Sequence, residues 1–290
     1  MTPAPKKTLL SWSSGKDSAW SLHVLRRQHP DVEVVGLLTT VNERYERVAM
    51  HAVRRDLLRR QAESAGLPLW EIAIPSPCSN EQYEEAMGRA IARAREAGVE
   101  RMAFGDLFLL DIRRYREERL AGTGIEPIFP LWGIPTDELA RTMQAGGLRA
   151  RITCVDPKQL DASFCGRDWD ATLLAQLPPG VDPCGERGEF HSFAYAGPMF
   201  SRELAIRSGE RLERDGFVFA DLLADDGGAP SEGDASAALR RARGRVLRRR
   251  GSRPGRRGGA GLGRADARPQ RGASWRHRGA GVGGGVGPGA

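Results

Sequence analysis

Residues 8–18, T-L-L-S-W-S-S-G-K-D-S, constrain this chain more than any other stretch. Leu9, Leu10 and Trp12 have the character of a buried strand, and Ser13, Ser14 and Gly15 are small turn residues. Lys16, Asp17 and Ser18 then open a helical pattern, A-W-S-L-H-V-L-R-R. A strand turning tightly into a helix makes an anion site. The first helical turn leaves backbone N–H groups unpaired and carries a partial positive charge. Small residues let the backbone close on a phosphate, and the hydroxyls of Ser13, Ser14 and Ser18 add donors. Lys16 adds a cation. Asp17 would repel a phosphate, so it serves Mg²⁺ or holds the loop. The plainer alternative is an ordinary strand-to-helix turn. A Walker P-loop is excluded, because Gly15-Lys16 is followed by Asp17 and no glycine stands five residues before Gly15.

The pattern that follows repeats strand and helix. The first helix spans 16–27 and stops before His29-Pro30. Residues 32–41 are near-continuously apolar and β-branched, as a strand buried on both faces reads. A helix is predicted over 50–65, with Met50, Val53, Leu57, Leu58 and Ala65 on one face and Gly66 as its stop. A third strand, 69–74, ends at Pro75. Ser79 and Gln82 form a capping box for a helix with Tyr83, Ala86, Met87, Ala90, Ile91 and Ala94 on its apolar side. A fourth strand, 101–105, places Asp106 at its C-terminal end. A helix over 110–121 and a fifth strand over 125–132, whose prolines suit an edge, complete the pattern. Five alternations predict an α/β fold with a five-stranded parallel, doubly wound sheet. Ligands bind such sheets beyond the C-terminal strand ends, near the switch point. The serine loop, Thr39 and Gly105-Asp106 should therefore surround one nucleotide.

From Ile134 the periodicity changes. Helices are predicted over 135–144 and 168–177, and strands over 149–155, 190–195, 203–212 and 217–223, the last three antiparallel. The expected domains are thus 1–133 for the nucleotide, 134–225 as a smaller α+β substrate domain, and 226–290 as a disordered tail. The tail holds 15 of the 44 basic and 4 of the 37 acidic residues, which leaves 29 basic and 33 acidic side chains before it. The net charge of +7 therefore belongs to the tail, and the folded part is acidic. That argues against a nucleic-acid surface outside the tail. The tail itself could be an arginine/glycine-rich RNA arm, but it lacks interleaved aromatics apart from Trp275; a disordered extension or an out-of-frame reading of a G/C-rich gene explain it as well. Cys78, Cys154, Cys165 and Cys184 fit no zinc spacing and, without a secretory signal, suggest the reducing cytoplasm. No apolar run is long enough for a membrane span.

Residues 13–18 resemble the S-G-G-x-D-S signature of the PP-loop ATP pyrophosphatases, in the adenine nucleotide alpha hydrolase-like superfamily, with Ser14 where the first glycine usually stands. That resemblance implies a HUP/Rossmann-like sheet and ATP as substrate. A second constellation, P-C-G-E-R-G-E-F-H-S-F-A-Y-A-G-P-M-F over 183–200, puts Glu186 and Glu189 around a glycine turn before a strand. On residue chemistry alone a charged turn before a hairpin is the plainer reading. G-E-x-G-E-F with G-P-x-F, together with Gly105-Asp106, R-x-x-R-E-E over 113–118 and P-L-W over 130–132, is similar to the diphthine–ammonia ligase family. The resemblance covers about residues 8–223.

It implies a ligase that adenylates a carboxylate with ATP and amidates it with ammonia; known members act on a modified histidine of an elongation factor, which implies a carboxylate borne on a protein. It implies Ser13, Ser14, Gly15, Lys16, Asp17, Ser18, Thr39, Gly105 and Asp106 as nucleotide contacts, Asp17 and Asp106 as Mg²⁺ or ribose ligands, and Glu186 and Glu189 as holders or bases for ammonia. Lys16 and Asp17 would also assist catalysis. His191 is a lesser candidate. His51 is weighed evenly between a surface residue and a ligand contact; a solvated charged face explains most of the arginines over 113–119, with Arg116 or Arg113 reaching a phosphate as the alternative, and Trp12, Trp20 and Trp132 are expected in the core. The aromatic strand around Phe193 and Tyr195 could pair across a homodimer. Three alternatives stand beside the ligase. A tRNA-modifying enzyme would want paired cysteines, and a glutamine-dependent synthetase would want a glutaminase domain, for which there is no room. A nucleotide-binding or sensing protein with another substrate uses the same loop.

Overall fold

The computed structural model describes residues 4–42, 47–48, 53–75 and 77–226. His51 and the arginine/glycine-rich stretch 227–290 lie outside them. Strand β1 (Lys6–Ser11) runs through the serine turn into α1 (Lys16–Gln28). Then come β2 (Val32–Asn42), the two-residue β3 (Arg47–Val48), α2 (Arg55–Ala65) and β4 (Leu69–Ile74). After these follow α3 (Asn80–Glu96), β5 (Arg101–Ala103), α4 (Leu110–Leu120) and β6 (Glu126–Ile128). The five parallel strands lie in the order β4-β2-β1-β5-β6. The expected parallel sheet is therefore present, with β3 as a sixth, antiparallel strand on the end of β2. The chain winds outward from β1 to β2 and β4, then returns to place β5 on the other side of β1. That reversal puts the ligand crevice over the C-terminal ends of β1 and β5.

Local physics explains the departures from the sequence pattern. Helix α2 starts at Arg55 because Arg54 is extended and bridges Arg47. Strand β6 is only three residues long and pairs β5 alone, since Pro127 and Pro130 lack the N–H that an inner strand must donate. The capping box forms as expected, with Ser79 Oγ accepting from Gln82 N at 3.2 Å and Gln82 Oε1 accepting from Ser79 N at 2.9 Å. Ala86, Ala90 and Ala94 then present the buried face of α3.

The second half holds α5 (Thr136–Ala145), β7 (Arg149–Val155), a 3-10 turn (Ala162–Phe164), α6 (Ala171–Ala175), β8 (Phe190–Ala196), β9 (Ile206–Arg214) and β10 (Phe217–Ala224). The strands form an antiparallel sheet in the order β8-β7-β10-β9. Helix α6 is shorter than the predicted 168–177: Asp170 caps it through Leu173 N at 2.8 Å, while Asp168 is drawn into an ion pair with Arg151 at 3.0 Å. Strand β9 begins at Ile206 rather than Glu203. Among the described residues, no helix is long and apolar enough to cross a membrane.

One hydrophobic core joins the two sheets, running from Leu10, Trp12 and Leu22 to Phe190, Phe193 and Leu222. Phe193 and Tyr195 are buried in it, which removes the aromatic face expected to pair with a second copy. Gln61 on α2 is the polar pin of the junction. It is fully buried, accepts from Trp12 Nε1 at 2.8 Å, and donates from Nε2 to the carbonyls of Ser14 (3.0 Å) and Ala194 (2.6 Å). Gln61→Leu strands the buried Trp12 indole N–H and the Ala194 carbonyl and leaves the Ser14 carbonyl with Ala194 N alone. It should lower stability by about 3 kcal/mol, read as a drop in the urea midpoint at unchanged slope; an unchanged midpoint would contradict the pin.

Candidate active site

Ser14 sits at φ +67° and is fully buried. Its carbonyl accepts from Ala194 N at 2.9 Å as well as from Gln61, so β8 fixes the turn from outside the first sheet. Left-handed backbone costs a non-glycine residue roughly 1 kcal/mol, which is why glycine commonly stands at such a position. Gly15 is the N-cap of α1 and supplies no side-chain cap. Hydroxyls serve the rest of the turn: Gly15 N donates to Ser13 Oγ at 3.3 Å, Lys16 N to Ser192 Oγ at 3.3 Å, and Ser18 Oγ to Gly15 O at 3.0 Å. Ser13 Oγ and Ser18 Oγ lie 3.1 Å apart. Gly105, just past β5, presses on the start of α1; a Cβ there would lie 3.1 Å from Ser18 N and 3.2 Å from the Asp17 carbonyl carbon. Two buried side-chain atoms of the turn, Ser14 Oγ and Asp17 Oδ1, have no hydrogen-bond partner. Buried polar atoms are nearly always paired, so this pair marks where a ligand's own donors and acceptors belong.

Lys16 departs from a simple phosphate contact. Its side chain is 2% exposed. Nζ donates to Asp17 Oδ2 at 3.0 Å and to the Cys184 carbonyl, and lies over the rings of Trp169 (5.5 Å) and Phe190 (5.3 Å). Burial works most strongly against the ammonium, but Asp17, Cys184 and Glu186 together outweigh it and hold the Lys16 pKa above its usual value. Burial raises the Asp17 pKa, against the pull of Lys16.

The residues after Cys184 complete the site. Glu186 Oε1 accepts from Leu107 N at 2.8 Å, which ties the turn after β5 to the second half of the chain. Burial, with the negative charges of Asp17 and Asp106, pushes the Glu186 pKa up to about 8. Asp106 is raised as well, mainly by burial, against the pull of Arg116 at 3.5 Å. Glu189 has a different place from Glu186. It is 2% exposed, and its oxygens accept from Asp182 N and Arg187 N, both at 2.9 Å, so it shapes the turn that carries Glu186.

Thr39 is buried one residue beyond the paired end of β1. His191 lies on β8 opposite Cys154. Arg113 stacks over Phe129 and Trp132, at 4.8 Å from each, and pairs with Glu117. Trp12 and Trp20 are buried; Trp132 is half-buried. Among the described residues no three His, Cys, Asp or Glu side chains cluster as a metal site. The structure thus brings together residues 13–18, Gly105, Asp106 and Glu186. Sequence reasoning missed Gln61, Trp169, Cys184 and Ser192, whose contacts cross long stretches of chain and leave no local pattern; only Cys184 and Ser192 lie within a suspected motif, residues 183–200.

A parallel doubly wound sheet with this serine–glycine turn at its switch point defines a PP-loop type of nucleotide-binding α/β protein. The chain belongs to the diphthamide synthase family: the family model for the diphthamide synthase N-terminal domain matches residues 6–124, and that for the C-terminal domain matches 135–221. It is 25% identical over 239 residues to the diphthine–ammonia ligase of Mus musculus, and 26% identical over 236 residues to that of Homo sapiens. Each match covers 72% of this chain and 86% of the relative. Among solved structures, a predicted subunit of tRNA methyltransferase from Methanocaldococcus jannaschii is similar at a TM-score of 0.33 and 16% identity, over 51% of this chain and 80% of that one.

Ser14→Gly removes both the left-handed strain and the orphaned hydroxyl. The nucleotide-free protein should gain roughly 1 kcal/mol of stability, a rise of about 3 °C in Tm. If Oγ is a ligand donor, ATP binding should weaken at the same time; a fall in Tm would contradict the strain.

Proposed function

We propose that the protein is an ATP-dependent ligase that amidates a carboxylate with ammonia through an acyl-adenylate, and that its acceptor is diphthine, carried on a protein, or a close analogue. The observation that carries the mechanism is the position of Glu186, a buried acid bonded to Leu107 N beside the turn that opens α1. A carboxylate is a poor acyl donor because its leaving oxygen is too basic. Attack by a carboxylate oxygen on the α-phosphorus of ATP forms the P–O bond of the acyl-adenylate and releases pyrophosphate. Ammonia then attacks the acyl carbon, and AMP leaves with the C–O electron pair.

The N–H groups at the start of α1 and the hydroxyls of Ser13, Ser14 and Ser18 hold the phosphates. The fixed turn keeps the α-phosphorus in line with the incoming oxygen, and positioning supplies most of the catalysis of such transfers. Asp17 Oδ1, buried and unpaired, fits Mg²⁺, and Asp106 is the second candidate; the ion would neutralise phosphate charge, and it typically takes one or two carboxylates alongside the phosphates. Glu186 takes the proton that ammonia loses on attack, a task suited to a carboxyl whose pKa lies near 8.

Purified protein given ATP, Mg²⁺, ammonium and a diphthine-bearing protein should yield AMP and pyrophosphate in ³¹P NMR. ADP with phosphate would overturn the adenylation. Asp17→Ala should cut turnover at least about 100-fold with the fold intact by circular dichroism. The base form of Glu186 exists above its pKa, so at constant free ammonia the amidation rate should rise with pH through about 8 and then level off. Glu186→Gln should abolish that rise while ATP still binds; an unchanged profile would remove the base from Glu186.

A further inference from the structure

A cavity of about 150 Å³ lies between α3 and α4 and is floored by Met102 of β5 and Phe104 just past it. Its walls are apolar, with Met87 and Ile91 from α3 and Leu120 from α4. A void of this size accommodates a single six-membered ring. Three observations set it apart from a packing defect. The first is Gly88, which lines it from the middle of α3. A glycine inside a helix weakens the helix. Nothing in the structure requires one there: its φ is not left-handed, and a Cβ would meet no atom within 4 Å. Gly88 is exposed at the cavity mouth, and its missing side chain leaves that mouth open.

The second is charge. Arg116 and Arg119 line the cavity together with the phenol-bearing Tyr83 and Tyr115. Arg119 is committed to Glu84 at the rim. Arg116 lies over the Phe104 ring at 4.9 Å, interacts with the Tyr83 hydroxyl, and reaches Asp106 by a long bond of 3.5 Å. A guanidinium carries five N–H donors and forms its best bonds to a carboxylate two at a time. The third is continuity. Phe104 precedes Gly105, which presses on the turn opening α1, and Asp106 precedes Leu107, whose N–H holds Glu186. The carboxyls gathered there, Asp17, Asp106 and Glu186, would repel an incoming carboxylate, and Lys16 is turned inward onto Cys184 and Asp17. Arg116 is the cation placed to receive one.

We propose that this cavity is the acceptor pocket: a ring-sized apolar body enters between α3 and α4, and Arg116 takes the carboxylate and delivers it beside Asp106 to the nucleotide. The assignment rests on the ligase reading above and adds its acceptor site, with a substrate class of carboxylates borne on a small ring. The probe is benzoate, with benzyl alcohol as its uncharged counterpart, titrated into the full chain by ligand-observed NMR while ATP affinity is measured on the same samples. Benzoate should bind more tightly than benzyl alcohol. Gly88→Leu, which fills the cavity, and Arg116→Gln, which removes the charge, should each weaken benzoate at least about tenfold. Gly88→Leu should leave ATP affinity unchanged. Gly88→Ala, a smaller filling that favours the helix, gives an intermediate loss if the leucine variant misfolds. No benzoate binding, equal binding of benzyl alcohol, or benzoate binding indifferent to Gly88→Leu and Gly88→Ala would overturn the pocket. Loss of ATP binding by the unmodified chain would instead strike at the ligase reading.

Discussion

The buried ammonium of Lys16 is the interaction on which the rest of the site depends. Removing a charge from water costs several kcal/mol unless partners replace the lost hydration. Here the partners come from both halves of the chain: Asp17 beside it, the Cys184 carbonyl 168 residues away, and the faces of Trp169 and Phe190. The indole N–H of Trp169 in turn holds Pro183 O at 2.9 Å, so the turn before Glu186 is gripped from two sides. The antiparallel sheet holds the serine turn through Ala194 N and Ser192 Oγ, and Lys16 holds the turn before Glu186 through the Cys184 carbonyl. The nucleotide site is a product of the junction, not of the parallel sheet alone.

That junction explains the electrostatics. Glu186, Asp17 and Asp106 are drawn together where water is scarce, and each is shifted upward with burial as the leading cause. Lys16 offsets the cost for Asp17 and Arg116 offsets it for Asp106. Glu186 has only the Leu107 N–H and a weaker pull from Lys16, so its shift is large. Two glutamates three residues apart therefore carry opposite assignments. Glu189 spends both oxygens on backbone N–H groups, whereas Glu186 accepts from Leu107 N and feels the negative charges of Asp17 and Asp106.

The alternation of periodicities made the parallel sheet legible, because each strand run was apolar enough and each helix was bounded by Gly, Pro or a cap. The serine turn was legible for the same reason, lying between a clear strand and a clear helix. What stayed hidden were contacts with no sequence period. Nothing around Gln61 marks it as the residue that pins Ser14 to Ala194, and nothing near Trp169 announces that it walls a lysine. Glu186 and Glu189 could not be told apart, since the difference lies in which backbone N–H groups they meet. Helix starts slipped where a side chain was recruited elsewhere, as with Asp168 and Arg54.

The central claim is that folding places one carboxyl, Glu186, poised to take a proton beside the nucleotide turn. It is tested most directly by ¹³C NMR titration of the full chain labelled at glutamate carboxyls, compared with Glu186→Gln. The account predicts one resonance titrating near 8 that is missing from the variant. If every glutamate titrates in the ordinary acid range, the junction does not bury and poise this acid, and the account fails.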